Sequence, residues 1–253
     1  MLLIPPTLDK LSALRLHGRR QALEEQLQLP EIHTLSFEER LGLLVDREWT
    51  CRDNRRFAAR LKKATLRHRA AVIEDIDYRH RRGLDQSLLT QLVTCQWLRD
   101  HHNVLILGPT GIGNSWLACA LAQKACRDGF TARYLQLPKF FRELTLAKAD
   151  GHYLKLMKEL AQTDLVALDD FGLTTLNDEQ QRDLLELLED RYELHSTLMT
   201  SQYPIEHWHD LIGNPTLADA ILDRLVHNAY KLNLTGESMR KQKNKLTTIE
   251  SAH

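Results

Sequence analysis

The sequence has no disulfide pattern, no leader-like apolar run and no excess charge of either sign. Its four cysteines, Cys51, Cys95, Cys119 and Cys126, show no C-x-x-C spacing. Cys119 and Cys126 fall inside an apolar helical pattern, so they read as buried free thiols in a reducing compartment, not as a disulfide framework. The opening stretch MLLIPPTLDK carries prolines where a signal peptide has its apolar core, with no basic residues before it. No stretch approaches the length needed to span a bilayer. The formal net charge is +0, so bulk charge points to no partner. Internal repeats, low-complexity tracts and flexible linkers are absent as well. What remains is the expectation of a cytoplasmic globular protein without a membrane partner. Its 253 residues, 43% hydrophobic and 27% charged, suit one ordinary domain plus a smaller one.

Helical patterning fills the first hundred residues. TLDKLSALRLHGRRQALEEQL sets Leu8, Leu11, Leu14 and Leu16 near one face. Ser36 with Glu39 three residues on forms a capping box before the amphipathic run that follows. The run from Arg52 to Arg82 is strongly basic. Beyond it the texture changes. NVLILG reads as a buried strand, and SWLACALAQKACRDG as a helix stopping at Gly129. FTARYLQL reads as a strand, PKFFRELTLAKADG and HYLKLMKELAQ as helices, and DLVALDDFG as a strand ending in acids. NDEQQRDLLELLEDRYELH is a helix with Asn177 as cap and Gln180 at the boxed position, and STLMTSQ is a further buried strand. Strands alternating with helices predict an α/β fold whose parallel sheet is covered on both faces. The expected boundary separates a small all-helical N-terminal domain, 1–75, from an α/β domain, 76–253.

The chemistry concentrates at Gly108, Pro109, Thr110, Gly111, Ile112, Gly113, Asn114, Ser115 and Trp116, the stretch GPTGIGNSW. It nearly matches the phosphate-loop pattern G-x-x-x-x-G-K-[S/T], but the lysine position holds Asn114. A strand before the loop and a helix after it would converge backbone N–H groups on phosphate. Ser115 supplies the hydroxyl expected on Mg²⁺. Asp169 and Asp170 end the strand LVALDD, at the carboxyl edge where a parallel sheet binds ligands. Asp169 fits metal coordination through water, and Asp170 fits a general base that polarises an attacking water. Thr200, Ser201 and Gln202 end the next strand at the same rim. Each of these features alone is more often structural: an acid pair caps a segment, and a TSQ ends a strand. Their order along the chain joins them into one site.

With these motifs in place, the chain resembles AAA+ ATPases of the IstB/DnaC group, most closely the IstB-like helper ATPases of two-gene insertion sequences. The resemblance rests on LDKLSALRL…ALEEQ, NVLILGPTGIGNSWLACAL, LVALDDFG, LLELLEDRY, STLMTSQ and ADAILDRLVHNAYKLNLTGESMRK. It implies an AAA+ P-loop core with ATP and Mg²⁺ as cofactors. It implies an arginine finger at Arg224 acting on a neighbouring subunit's nucleotide, and a sensor-two arginine at Arg240. Sensor one would be Gln202. From the residues alone, Arg224 and Arg240 read as surface arginines. Arg191, in EDRY, reads either as a contact between subunits or as half of an intramolecular salt bridge.

The resemblance further implies duplex DNA as a largely sequence-independent partner, a cognate transposase, and a ring or helical homo-oligomer. Two basic surfaces compete for the DNA: the Arg52–Arg82 run, and Lys148, His152, Lys155 and Lys158. A charge run by itself is more often a solvated helix face. The expected function is an ATP-dependent regulator of DNA transposition. A DnaC-like replicative helicase loader and a nucleotide-stabilised DNA scaffold are the alternatives. No acidic triad for strand transfer is present. Replacing the loop lysine by asparagine removes one charge-assisted contact, about 1.5–3 kcal/mol or roughly tenfold to hundredfold in affinity. Hydrolysis should suffer more, because that charge also stabilises the transferring phosphoryl group.

Overall fold

The computed structural model describes residues 4–78 and 82–239. Two compact units divide the chain, residues 1–59 and 60–253, so the first ends before the boundary expected at residue 75.

The first unit is built from α1 (Ile4–Ala13), α2 (His17–Gln28) and most of α3 (Phe37–Ala64). The predicted single amphipathic run at the start is broken, because Arg15 adopts a left-handed φ of 57° and leaves Leu14 exposed. The Ser36–Glu39 capping box forms as expected. Glu39 Oε2 accepts from the Ser36 amide at 2.7 Å, and Ser36 Oγ accepts from the Glu39 amide at 3.2 Å.

No side-chain cap opens α2; the buried carboxylate of Glu48 does that work from α3. It accepts from the amides of Gly18 at 2.8 Å and Arg19 at 3.1 Å, a negative charge at a helix N-terminus. Glycine is required at 18, since a Cβ there would lie 2.7 Å from the Arg47 carbonyl oxygen. Desolvation pushes the Glu48 pKa up, but Arg52 and the two amides together hold it below its ordinary value. A depressed folded-state pKa stabilises above the unfolded value and is lost as pH falls through the folded one. The hydrogen-exchange protection factors across residues 18–28, taken relative to the intrinsic rate at each pH, should therefore fall on acidification below the ordinary carboxylate range. In Glu48→Gln they should already be low at neutral pH and change little with acid.

The second unit continues with α4 (Gln86–Val93), α5 (Gln96–Arg99), β1 (Asn103–Leu107), α6 (Asn114–Arg127), β2 (Ala132–Gln136), α7 (Leu137–Ala149) and α8 (Tyr153–Ala161). It closes with β3 (Leu165–Phe171), α9 (Asp178–Arg191), β4 (Ser196–Ser201), α10 (Trp208–Ile212), α11 (Pro215–Val226) and β5 (Ala229–Asn233). The strands form one parallel sheet in the order β2-β3-β4-β1-β5. This is the expected α/β architecture, a P-loop core with a helical N-terminal region before it.

Each central strand is buried on both faces. Leu105, Leu107, Val166, Leu168 and Met199 join Phe140, Leu144, Leu184 and Trp208 in one core. Alternation turns Ile106 and Ala167 to the other face, where α6 packs on the sheet. Within α6, Cys119 and Cys126 are buried free thiols, as is Cys95; burial pushes the first two to about 11 and the third to about 12. No described helix is long and apolar enough to cross a membrane.

Two expectations need correction. Helical patterning does not extend through residue 100: α3 ends at Ala64, where Thr65 follows with φ 51°, and up to α4 the only described regular element is the short turn Ile73–Asp75. The edge strand β5 went unread, because Leu232 is its one buried residue and alternation leaves almost no signal. The capping box of α9 forms as predicted, with Asn177 and Gln180 bonded reciprocally. Gly129, φ 100°, follows the end of α6 as expected.

Candidate functional site

Strand β1 delivers the chain to Gly108 at the carboxyl edge of the sheet, and α6 leaves from Asn114. The turn between them is held by the Gly108 amide on the Ser201 carbonyl at 3.0 Å and by the Met239 amide on the Gly111 carbonyl at 3.0 Å. Glycine is needed at 108, where a Cβ would lie 2.6 Å from the Leu234 carbonyl oxygen. It is needed at 113, where φ is 110°.

Helix α6 has no side-chain cap. Among the described residues, the amides of Gly111, Gly113, Asn114, Ser115 and Trp116 have no hydrogen-bond acceptor. A helix start ordinarily satisfies such donors with a side chain, water or a ligand. Here they converge on one cavity of about 870 Å³, a size suited to a small-molecule site. An anion is what this arrangement attracts.

The cavity wall brings together Thr110, Gly111, Gly113, Asn114, Ser115, Trp116, Asp170 and Gln202. Asn114 turns back on its own loop: Nδ2 donates to the Gly108 carbonyl at 2.6 Å, while Oδ1 is buried without a partner. Asp169 lies behind the wall, fully buried. It accepts from the Tyr134 hydroxyl and from Thr200 Oγ1, the latter at 2.5 Å. Burial and the adjacent Asp169 charge push the Tyr134 phenol far up, so it stays a donor.

Asp170 sits at an irregularity in the β3–β4 register with φ 66°, the kind of bulge that re-aims a side chain beside a site. Its carboxylate accepts from Gln136 Nε2 at 2.7 Å, and its amide donates to Thr200 Oγ1 at 3.1 Å. The fit to ATP with a divalent cation rests on the free amides and on these two acids, one facing the cavity and one braced behind it.

Other expected residues lie elsewhere. Arg224, on α11, pairs with Glu189 of α9 and donates to the Ala220 carbonyl at 2.9 Å, away from the cavity wall. Arg240 lies outside the described residues; Met239, which precedes it, is in the wall. Arg191 does not reach the surface, and among the described residues it pairs with no carboxylate. It is buried, donating to the carbonyls of Leu160, Thr163 and Ser196.

The basic run is divided. Arg52, Arg55 and Arg56 are exposed, whereas Arg67 and Arg82 are in the cavity wall. The Arg67 guanidinium lies 3.7 Å from both Asp169 and Asp170. Sequence reasoning missed Arg67, Arg82, Gln136 and Tyr134 as neighbours of the site. In the second basic surface, Lys148 is already neutralised by Glu179 and Asp183, each at 2.7 Å.

Comparison with known proteins agrees with this geometry. The family model described as IstB-like ATP binding protein matches residues 9–247. An insertion sequence ATP-binding protein of Sinorhizobium fredii, y4pL, is 51% identical over 240 residues, covering 95% of this chain and 98% of the relative. The insertion sequence IS21 ATP-binding protein of Pseudomonas aeruginosa is 31% identical over 236 residues, covering 93% and 89%. Among solved structures, the DnaC helicase loader matches with a TM-score of 0.55 at 17% identity, covering 66% of this chain and 97% of that one. The replication initiator DnaA bound to AMPPCP and single-stranded DNA matches at 0.54 and 18% identity, covering 71% and 55%. These last two likenesses concern the fold alone.

Proposed function

This chain belongs to the family of IstB-like ATP-binding proteins, and from that premise we propose that it is an ATP-dependent, DNA-binding regulator of transposition. In this reading it oligomerises on target duplex DNA, largely without sequence preference, and recruits or activates a separate transposase. The observation that carries the nucleotide part is the set of unpartnered amides at the start of α6, facing the same cavity as Asp170 and Gln202. The transposition part is supported by the insertion-sequence relatives.

The roles follow from chemistry. The backbone of residues 108–116 cradles phosphate, and the helix dipole of α6 adds positive potential. Ser115 and Asp169 would hold Mg²⁺, Asp169 through water, with Tyr134 and Thr200 fixing the orientation of its carboxylate. Bound Mg-ATP supplies the phosphoanhydride and the divalent charge. Asp170 orients and polarises water, with Gln136 holding its carboxylate. Gln202 contacts the terminal phosphate. Arg224 acts in trans on a neighbour's nucleotide, and Arg240 serves as the sensor-two arginine for phosphate. The helical N-terminal domain serves assembly, DNA contact or transposase docking.

A second reading is favoured by Asn114, whose amide is spent on the Gly108 carbonyl. Under it, nucleotide stabilises a DNA-bound scaffold and turnover is very slow.

Sedimentation of the full chain with ATP and duplex DNA, at about 50 and 200 mM salt, tests the proposal. Large assemblies are expected at low salt only when both ligands are present. DNA affinity should fall about a thousandfold between the two salts for some six phosphate contacts. Monomers with both ligands present, or a salt-insensitive binding constant, would overturn it. Co-purification with a replicative helicase in place of a transposase would redirect the assignment to helicase loading.

A further inference from the structure

Arg82 is buried, 3% exposed, yet it forms part of the cavity wall. Its Nη1 lies 3.4 Å from the Ile112 carbonyl and 3.4 Å from Met239 Sδ, both weak partners at the edge of hydrogen-bond range. Its Nε is buried with no partner. Among the described residues no carboxylate lies within ion-pair distance of it. The side chain packs against Gly113, where a Cβ would lie 3.1 Å from Nη1. Gly113 immediately precedes the position at which the loop pattern expects lysine.

A guanidinium stays charged at any physiological pH. Burying it without an anion is costly, because the lost hydration is not replaced. The same loop holds the other orphaned polar atom of the wall, Asn114 Oδ1. The loop thus carries a neutral residue where a cation is expected, and the segment before α4 sets beside it a buried cation whose lost hydration the nearby Asp77 carboxylate offsets only in part, without an ion pair. We propose that Arg82 is a phosphate ligand of the bound nucleoside triphosphate, supplying from the segment before α4 part of the positive charge that Asn114 does not. Arginine suits this role because its planar fork donates to two phosphate oxygens at once. The proposal rests on the nucleotide reading of the cavity.

The test is equilibrium binding of a fluorescent ATP analogue, with tripolyphosphate as competitor, to the full chain and to four variants. These are Arg82→Gln, Arg82→Lys, Asn114→Lys, and Asn114→Lys with Arg82→Gln. Arg82→Gln should weaken binding about tenfold or more, Arg82→Lys should restore part of it, and tripolyphosphate should lose affinity in parallel. In the Asn114→Lys background the same loss should shrink to about threefold or less, because the two cations serve the same phosphates. Melting without nucleotide reports whether Arg82→Gln folds; if it does not, Arg82→Lys and the Asn114→Lys pair carry the comparison. Equal affinity of a folded Arg82→Gln chain, or a loss confined to the analogue with tripolyphosphate unaffected, overturns the assignment while leaving the nucleotide site intact. No binding by either the unaltered chain or Asn114→Lys overturns the nucleotide reading itself.

Discussion

Asn114→Lys should raise the rate of ATP hydrolysis by about a hundredfold or more, with phosphate release in the presence of duplex DNA as the measurement. The size follows from what position 114 lacks. A preorganised donor aimed at charge that develops in the transition state is worth about 10²–10³ in rate. The rest of the loop needs no repair. Among the described residues the amides of Gly111, Gly113, Ser115 and Trp116 have no acceptor; Ser115 is in the cavity wall, and Asp170 faces it from β3. Lysine at 114 surrenders the bond to the Gly108 carbonyl, worth about 1 kcal/mol, and removes the buried, unpartnered Oδ1. Its longer stem can extend into the cavity, which the asparagine amide does not. Affinity should improve by less than turnover, about tenfold or below, because Arg82 and the helix start already attract the ground-state phosphates. A variant that binds more tightly but turns over at the unaltered rate would place the bottleneck at Asp170 or at subunit assembly. Equal rates and equal affinities would remove position 114 from the chemistry altogether.

That test can be framed from the sequence because the phosphate loop is a local object. A buried strand, glycines at fixed offsets and a helix start are all written within the segment 103–127, and the structure forms them where the pattern puts them. Asp169, Asp170 and Gln202 were legible for a related reason: in a parallel sheet every strand's carboxyl end reaches the same edge. What surrounds them was not legible. Tyr134 reaches Asp169 across the β2–β3 pairing, and Arg67 and Arg82 reach the cavity through an irregular segment. Nothing in a run of basic residues says which will face solvent and which will be drawn inward. The burial of Arg82 is a tertiary outcome, and so is the exposure of Arg52, Arg55 and Arg56. Strand β5 escaped because an edge strand with one buried side chain carries no periodicity to read.

Arg191 and Arg224 pose the same problem in a form that can be measured. Both are arginines at or near the ends of helices; from the sequence Arg224 reads as a surface group, and Arg191 as a contact between subunits or half of an intramolecular salt bridge. Arg191→Leu should lower stability by about 4 kcal/mol or more, and the melting temperature by about 10 °C, in thermal unfolding of the full chain. Its guanidinium donates to the carbonyls of Leu160 at 2.5 Å, Thr163 at 2.7 Å and Ser196 at 2.5 Å, and to Thr197 Oγ1 at 3.2 Å. Leucine fills part of the space but satisfies none of these buried acceptors. Burial pushes the Arg191 pKa down, with Asp164 opposing, so the folded chain holds this charge through that cage of dipoles together with the Asp164 carboxylate.

Arg224→Ala should instead shift the melting temperature by about 2 °C or less, since it breaks an ion pair with a largely exposed Glu189. Its effect should fall on turnover, a loss of about a thousandfold or more in the Asn114→Lys background, where hydrolysis is fast enough to follow. Adding a chain inactive in its own site but with Arg224 intact should rescue it, as the proposed action on a neighbouring subunit requires. A stability loss in Arg224→Ala as large as in Arg191→Leu, with turnover per folded chain unchanged, would make both residues parts of the scaffold and leave the trans-acting group to be sought elsewhere.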